Sequence, residues 1–340
     1  MVNIGIIGTG YWGPNVLRSF LNIENCRVKW ICDRKEGRLK YVQERFKEHL
    51  NGIKLTRDYK ELLNDPQLDA ISIVTPVETH FNLALEAIKR EKHVYLEKPF
   101  VLDVKESLIL GELSEKKNLK LCVGNLFEYH PAIEVIRDEI NSPSFGKIYY
   151  YQTNRVNLRP PKTTVNVIWD LASHDFSIVN YLQGNEPLAI QAFGTGYVNT
   201  QLIDVAFIKV WYPDDVFAQI HVSWHSPNKT RRLCLYGDRH SIYFDDILLE
   251  DKVKIFDQGI DTRIGVKDNE VKELVYKPGE VRTPQLPSHQ PLQKECQYFI
   301  NSILNGDGLR NDWKDGYRVV KMIQLANQSI EQKGRILAYE

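Results

Sequence analysis

A strand, a glycine turn and a helix follow one another at the very N-terminus, and that order constrains the fold more than anything else in the chain. Val2-Asn3-Ile4-Gly5-Ile6-Ile7 is an apolar run of strand length, and Gly8-Thr9-Gly10-Tyr11-Trp12-Gly13 follows as a G-x-G-x-x-G turn. In such a turn Gly8 permits the sharp reversal, Gly10 lets the backbone approach a pyrophosphate, and Gly13 lets the helix lie close on the strand. Pro14 suits the first helical position, where its missing N–H is no loss. Val16, Leu17, Phe20 and Leu21 then recur at helical spacing as a buried stripe. The free N–H groups and positive dipole end of this helix favour an anion. A second strand, 27–32, ends in Asp33, twenty residues after Gly13. A carboxylate there would accept hydrogen bonds from ribose hydroxyls and repel a 2′-phosphate. The pattern predicts an NAD site made by Gly8, Gly10, Tyr11, Trp12, Gly13 and Asp33, with the neighbouring Arg34 leaving NADP open.

Strands and helices go on alternating through the first third. A buried strand at 69–74 ends at Thr75-Pro76, a helix at 78–90 follows, and a strand at 93–97 closes on Glu97-Lys98-Pro99. A helix at 105–117 and a strand at 119–123 complete the series. Alternation with short connections predicts a parallel, doubly wound α/β sheet. Open sheets of this kind bind ligands beyond the carboxyl ends of their strands, which puts Thr75, Pro76, His80, Glu97 and Lys98 at the cofactor site. For His80, capping or packing its own helix is the alternative reading.

After Gly124 the pattern changes. A long aromatic strand at 149–155 and a helix near Trp169 precede strands at 205–212, 216–224, 231–236 and 240–244, joined by turns such as Pro213-Asp214-Asp215. Helices at 290–305 and 312–333 close the chain, and 257–287 reads as loops with one short strand. Consecutive strands with short links predict a mainly antiparallel sheet in an α+β domain. The expected division is therefore a Rossmann domain at 1–123 and a substrate-binding and oligomerisation domain at 124–340. Aromatic and apolar residues fall on both faces of the second sheet: Tyr149 and Tyr151 against Tyr150, Phe207 and Trp211 against Ile208 and Tyr212. Helices cover only one face, so the other predicts a homodimer or homotetramer.

Composition excludes several classes. Lys plus Arg equals Asp plus Glu at 44 each, which argues against nucleic acid or a membrane surface as partner. No apolar stretch approaches membrane-spanning length, and no signal-peptide pattern precedes the first strand. Five cysteines without C-x-x-C spacing read as reduced thiols in a cytoplasmic protein, and nine scattered histidines argue against a metal site.

In the second domain Asp170 and His174 are four apart, on one face of a helix. An aspartate beside a histidine holds the imidazole and stabilises its protonated form, as general base chemistry requires. Taken in order, Gly8-x-Gly10-x-x-Gly13, Thr75-Pro76 with His80, Glu97-Lys98-Pro99 and Asp170-x-x-x-His174 resemble the glucose–fructose oxidoreductase / inositol dehydrogenase / rhizopine catabolism (Gfo/Idh/MocA) family. The resemblance spans almost the whole chain. It implies a nicotinamide-dependent dehydrogenase acting on a sugar or cyclitol, with Lys98 as catalytic lysine, Glu97 near the cofactor ribose, and Asp170 and His174 at the substrate.

One departure is Asn166, where the family often has glycine. The run from Asn166 through Trp169 to Asp170, together with Tyr129-His130-Pro131 and the later Trp224, looks more like the nucleotide-sugar branch. That branch oxidises the 3-hydroxyl of UDP-N-acetylhexosamines or their uronic acids in surface-polysaccharide synthesis. Tyr129, Arg155, Asn157, Asn166 and Trp169 are accordingly expected at the substrate, with Arg155 and Arg159 able to meet a pyrophosphate or a carboxylate through paired hydrogen bonds. The competing readings are a free-sugar or inositol dehydrogenase and a non-catalytic NAD-binding regulator on the same fold.

Overall fold

The computed structural model describes residues 1–160, 162, 164–198, 201–257 and 279–340, and the backbone of 259–261, 266–267, 270–271 and 275–277. The chain divides into two compact units, Met1–Tyr129 with His289–Lys321, and His130–Ser288 with Met322–Glu340.

The first unit carries a parallel sheet of β1 (Val2–Ile7), β2 (Cys26–Cys32), β3 (Lys54–Thr56), β4 (Ala70–Ile73), β5 (His93–Leu96) and β6 (Leu121–Val123), in the order β3-β2-β1-β4-β5-β6. Helices α1 (Gly13–Leu21), α2 (Glu36–Arg45), α3 (Tyr59–Leu63), α4 (His80–Lys89) and α5 (Val104–Lys116) lie between the strands. The strand order reverses between β1 and β4, the switch point where such sheets open a ligand crevice. All four residues of β4 are buried, as expected of a parallel strand covered on both faces.

The expected boundary after residue 123 is corrected here, because α8 (Pro291–Asn305) completes the first core. Its Phe299 meets Phe20 of α1 and Tyr95 of β5 edge-on, with ring centroids 6.5 and 5.9 Å apart. Its Cys296 and Ile300 are fully buried in the same cluster. The last helix, α9 (Trp313–Glu331), also begins in this unit. Trp313 packs where a Cβ on Gly111 of α5 would lie 2.2 Å from its ring, so only glycine admits it.

The second unit is built on a nine-stranded sheet. Its long strands are β7 (Ile148–Leu158), β8 (Ala189–Thr195), β9 (Val205–Trp211), β10 (Phe217–Ser223), β11 (His225–Gly237), β12 (Ser241–Asp245) and β13 (Val253–Phe256). Four short strands, β14 (Gly259–Asp261), β15 (Val266–Lys267), β16 (Glu270–Val271) and β17 (Val275–Lys277), form two small ladders where one short strand was expected. β18 (Val281–Arg282) and β19 (Leu337–Ala338) are the edges of the large sheet, ordered β18-β13-β12-β11-β7-β10-β9-β8-β19. Its pairs are antiparallel except β7 with β10.

Burial alternates along this sheet, as period-two side chains demand. In β9, Ala206, Ile208 and Val210 are buried while Phe207 is 48% exposed. Helices α6 (Pro131–Ile140) and α7 (Ser173–Gln183) and the later residues of α9 contribute Ile133, Ile136, Phe176, Val179, Met322 and Ile323 to the buried side. Among the described residues, no helix is long and apolar enough to cross a membrane.

Candidate active site

The glycine turn is shaped for close approach. Gly8 has φ +100°, and a Cβ there would lie 2.5 Å from the Val74 carbonyl oxygen. At Gly13 a Cβ would lie 2.4 Å from the Gly8 oxygen, so the helix can settle on the turn only with glycine. Gly10 differs: nothing lies within 4 Å of where its Cβ would be. Its missing side chain serves no internal packing and leaves room for a ligand against the backbone. The residues present fit a dinucleotide.

Asp33 follows β2 and turns back to the glycine turn. Its Oδ2 accepts hydrogen bonds from the backbone N–H (2.8 Å) and the hydroxyl (2.9 Å) of Thr9, and its Oδ1 accepts from Lys35 N–H at 2.9 Å. A carboxylate offers about four acceptor positions, so Oδ1 keeps capacity for a ribose hydroxyl. Tyr11 and Arg34 are exposed beside it.

At the other half of the crevice stand the ends of β4 and β5. Thr75 and Thr79 hydroxyls are 2.7 Å apart, Pro76 is exposed and Lys98 is half-buried. Glu97 is buried; its Oε1 accepts from Trp12 Nε1 at 2.8 Å and its Oε2 from Lys98 N–H at 3.2 Å. Burial pushes the Glu97 carboxyl up to about 7 against the opposing pull of the Lys98 charge and these donors.

His80 is placed differently from the expectation that it meets the cofactor. It is 1% exposed, with Nδ1 at 2.9 and 3.2 Å from the Pro99 and Phe100 oxygens and Nε2 at 2.9 Å from the Thr75 oxygen. Burial lowers its basicity although all three carbonyls favour the charged ring. It bolts the ends of the two strands together and so fixes where Thr75 and Lys98 stand.

In the second unit a π-helical turn, Ile168–Ala172, leads into α7, with the Ser173 N–H donating back to the Ile168 oxygen. Such turns are rare and recur at functional sites. Asp170 is 4% exposed, and His174 is half-buried in the first turn of α7. Asp170 Oδ2 accepts from Trp224 Nε1 at 3.0 Å and pairs with Arg159 at 3.1 Å, while Oδ1 pairs with Lys162. Two cations thus meet one carboxylate here.

Three expected substrate residues have other work. Arg155 is buried, with Nε and Nη2 at 2.9 and 3.3 Å from the two oxygens of Asp175. Its forked donors grip a buried carboxylate from within the fold instead of a ligand. Burial raises the Asp175 carboxyl, and the Arg155 charge opposes that rise. Asn166 caps the π turn: its Oδ1 accepts from Ile168 and Trp169 N–H at 3.1 and 3.3 Å, and its Nδ2 donates to Asn327 at 2.6 Å. Asparagine at this position thus has a structural role as the cap of the turn. Tyr129 belongs to the first unit, where it is fully buried and its hydroxyl donates to Asn311 at 2.7 Å. Trp169 stays half-buried, and Asn157 keeps a buried Oδ1 without a hydrogen-bond partner, which suits ligand contact.

Sequence reasoning missed Lys162 and Trp224 as partners of Asp170, and a second acid–histidine pair. Asp204, 1% exposed, lies 3.0 Å from His225 Nε2. Burial favours its neutral form, yet the N–H groups of Val198 and Tyr197 and the His225 ring hold it below the usual carboxylate range. Twenty-one residues separate the two, so no local spacing signals them.

Comparison with known proteins places the chain. A family described as "Oxidoreductase family, NAD-binding Rossmann fold" matches residues 2–125, and one described as "GFO/IDH/MocA C-terminal domain" matches 133–243. UDP-N-acetylglucosamine 3-dehydrogenase of Acidithiobacillus ferrooxidans is 30% identical over 241 residues, 70% of this chain and 71% of that one. Its crystal structure superposes with a TM-score of 0.81 over 97% of this chain and 98% of that one, at 23% identity. Myo-inositol 2-dehydrogenase of Thermotoga maritima is 23% identical over 98% of this chain and 97% of its own length. An oxidoreductase of Agrobacterium radiobacter, solved with NAD+, L-tartaric acid and magnesium, shares the fold with a TM-score of 0.81 over 99% of this chain and 98% of that one, at 18% identity.

Proposed function

The chain belongs to the GFO/IDH/MocA family of NAD-binding oxidoreductases, and from that premise we propose that it oxidises the 3-hydroxyl of a UDP-N-acetylhexosamine, or of its uronic acid, with NAD as hydride acceptor. The observation that carries the substrate reading is the 30% identity to a UDP-N-acetylglucosamine 3-dehydrogenase over most of both chains. The surplus of Arg159 and Lys162 over Asp170 supports it, since a local excess of positive charge suits an anionic substrate. Free inositol is the second reading, supported by the inositol dehydrogenase that matches along nearly the whole chain.

Oxidation of a secondary alcohol needs an acceptor for the hydroxyl proton, a carbon facing the nicotinamide, and stabilisation of the developing alkoxide. Bound at the glycine turn, the dinucleotide supplies the hydride acceptor. Gly8, Gly10, Gly13, Tyr11 and Trp12 would hold its pyrophosphate, Asp33 would favour NAD at the ribose end while the neighbouring Arg34 leaves NADP open, and Thr75, Pro76 and Glu97 would position its other half. Lys98 donates to the hydroxyl oxygen. His174, oriented by Asp170, takes the proton, and a lysine of lowered basicity can exchange roles with it. Asn157 and Trp169 contact the sugar. The aromatic outer face of the second sheet pairs copies of the chain, and a cytoplasmic location suits its five free cysteines.

The test is a panel of UDP-sugars and inositols added with NAD while NADH absorbance is followed. Turnover of a UDP-N-acetylhexosamine well above that of any inositol supports the reading. Turnover of inositol alone removes the nucleotide-sugar assignment and leaves the dehydrogenase.

A further inference from the structure

Behind Lys98, Glu97 is joined through Tyr95 to a second buried acid, Glu295, that the chemistry above does not use. Tyr95 of β5 donates its hydroxyl to Glu295 of α8 at 2.7 Å, and the same hydroxyl stands 3.4 Å from Glu97 Oε1. The other oxygen of Glu295 accepts from Asn311 Nδ2 at 2.7 Å. Gly124 closes the far side of Glu97, where a Cβ would lie 3.1 Å from Oε2. Glu97 in turn holds the indole of Trp12, the residue from which α1 starts, so one carboxyl links the glycine turn to the strand end that carries Lys98.

We propose that Glu97 is a proton-gated clasp: its ionised form fastens Trp12 and the glycine turn to the Lys98 strand end, and the cofactor binds to that form. A charged acceptor makes a hydrogen bond roughly twice as strong as a neutral one, so loss of the charge loosens the Trp12 contact. A carboxylate at this half of the crevice also suits NAD, whose nicotinamide is cationic, better than NADH. Binding of NAD below neutral pH then releases the Glu97 proton to solvent.

Glu97 is the group in this cluster placed to change charge near neutrality, with its carboxyl pushed up to about 7 by burial. Facing it are Lys98 and Tyr95 from β5 and its end, Glu295 and Cys296 from α8, and Cys122 from β6. Burial, reinforced by the neighbouring acids, drives Tyr95, Glu295, Cys296 and Cys122 well above their ordinary values. The Tyr95 hydroxyl and the Cys296 and Cys122 thiols stay neutral through the range in which Glu97 ionises.

The inference rests on the reading that the glycine turn binds a dinucleotide, and calorimetry of NAD binding separates the two. With a midpoint near 7 the competent fraction falls about tenfold between pH 8 and pH 6, so NAD binding weakens about tenfold. Comparing buffers of different ionisation enthalpy at pH 6 should show about one proton released per NAD bound, and almost none at pH 8. Glu97→Gln keeps an acceptor of the same shape and should bind NAD with no midpoint and no proton release. Trp12→Phe removes a donor that lowers the Glu97 carboxyl, so its midpoint should move to higher pH. A midpoint that survives in Glu97→Gln, or one that stays put in Trp12→Phe, overturns the clasp. Absence of NAD binding at every pH instead overturns the dinucleotide reading beneath it.

Discussion

The two sheets of this protein place their function in opposite ways. In the parallel sheet, strands such as β4 are buried at every position, and the candidate groups Gly8–Gly13, Thr75 and Lys98 stand at the strand ends. In the nine-stranded sheet strands such as β9 and β10 bury one side and show the other, with Phe193 of β8 and Phe207 of β9 about half exposed on the open side. Here the charged groups are drawn into pairs: Arg155 with Asp175, Asp170 with Arg159 and Lys162, Asp204 with His225. The first region binds through backbone that is free to receive a ligand. The second offers side chains already holding one another.

The largest effect expected from that contrast is on stability in the second region. Arg155→Ala leaves Asp175 buried and unpaired, which should lower unfolding stability by about 3–5 kcal/mol in chemical denaturation. A change under 1 kcal/mol would return Arg155 to the ligand-binding role expected from the sequence.

Next comes a substitution that should harm binding and spare the fold. Gly10→Ala points its methyl into open space, so the melting temperature should hold while NAD binding weakens at least about tenfold. Gly13→Ala, facing the Gly8 oxygen, should lower both. Equal destabilisation by the two would erase the distinction between packing and ligand glycines.

The smallest effect concerns the open face. Phe207 stacks on His221 with centroids 4.3 Å apart, and Tyr150 lies between Phe217 and Tyr236. Phe207→Glu should change stability by about 0.5 kcal/mol or less, yet shift a homodimer toward monomer in light scattering. A monomeric unaltered protein would leave the aromatic face without the proposed partner.

The same contrast explains what was legible in the sequence. The first half is written locally: a turn, a helix and a strand end within a few residues each, so the positions of Gly8 to Gly13, Asp33 and Lys98 at strand ends could be read directly. Its exceptions are the long-range contacts. Glu97 is joined by Trp12 and by an acid chain to Glu295, and α8 returns to a core begun at Val2, nearly three hundred residues earlier. In the second half the periodicity revealed the strands β7, β9, β10, β11 and β12, but not which side chains would meet. Arg155 and Asn166 looked available because sequence shows a donor and not its partner. The parallel pairing of β7 with β10 was hidden for the same reason, since short links between neighbours suggest only antiparallel order.

In the proposed reaction Lys98 acts on the substrate hydroxyl, beside a cofactor held by other residues. The direct measurement sets turnover of UDP-N-acetylglucosamine by Lys98→Ala beside calorimetry of its NAD binding. At a pH well above the Glu97 midpoint, where that carboxyl is ionised with or without the Lys98 charge, the account predicts turnover lowered by about 10²-fold or more, with NAD affinity changed less than about threefold. Turnover at the unaltered rate, or loss of NAD binding in step with activity, would contradict it.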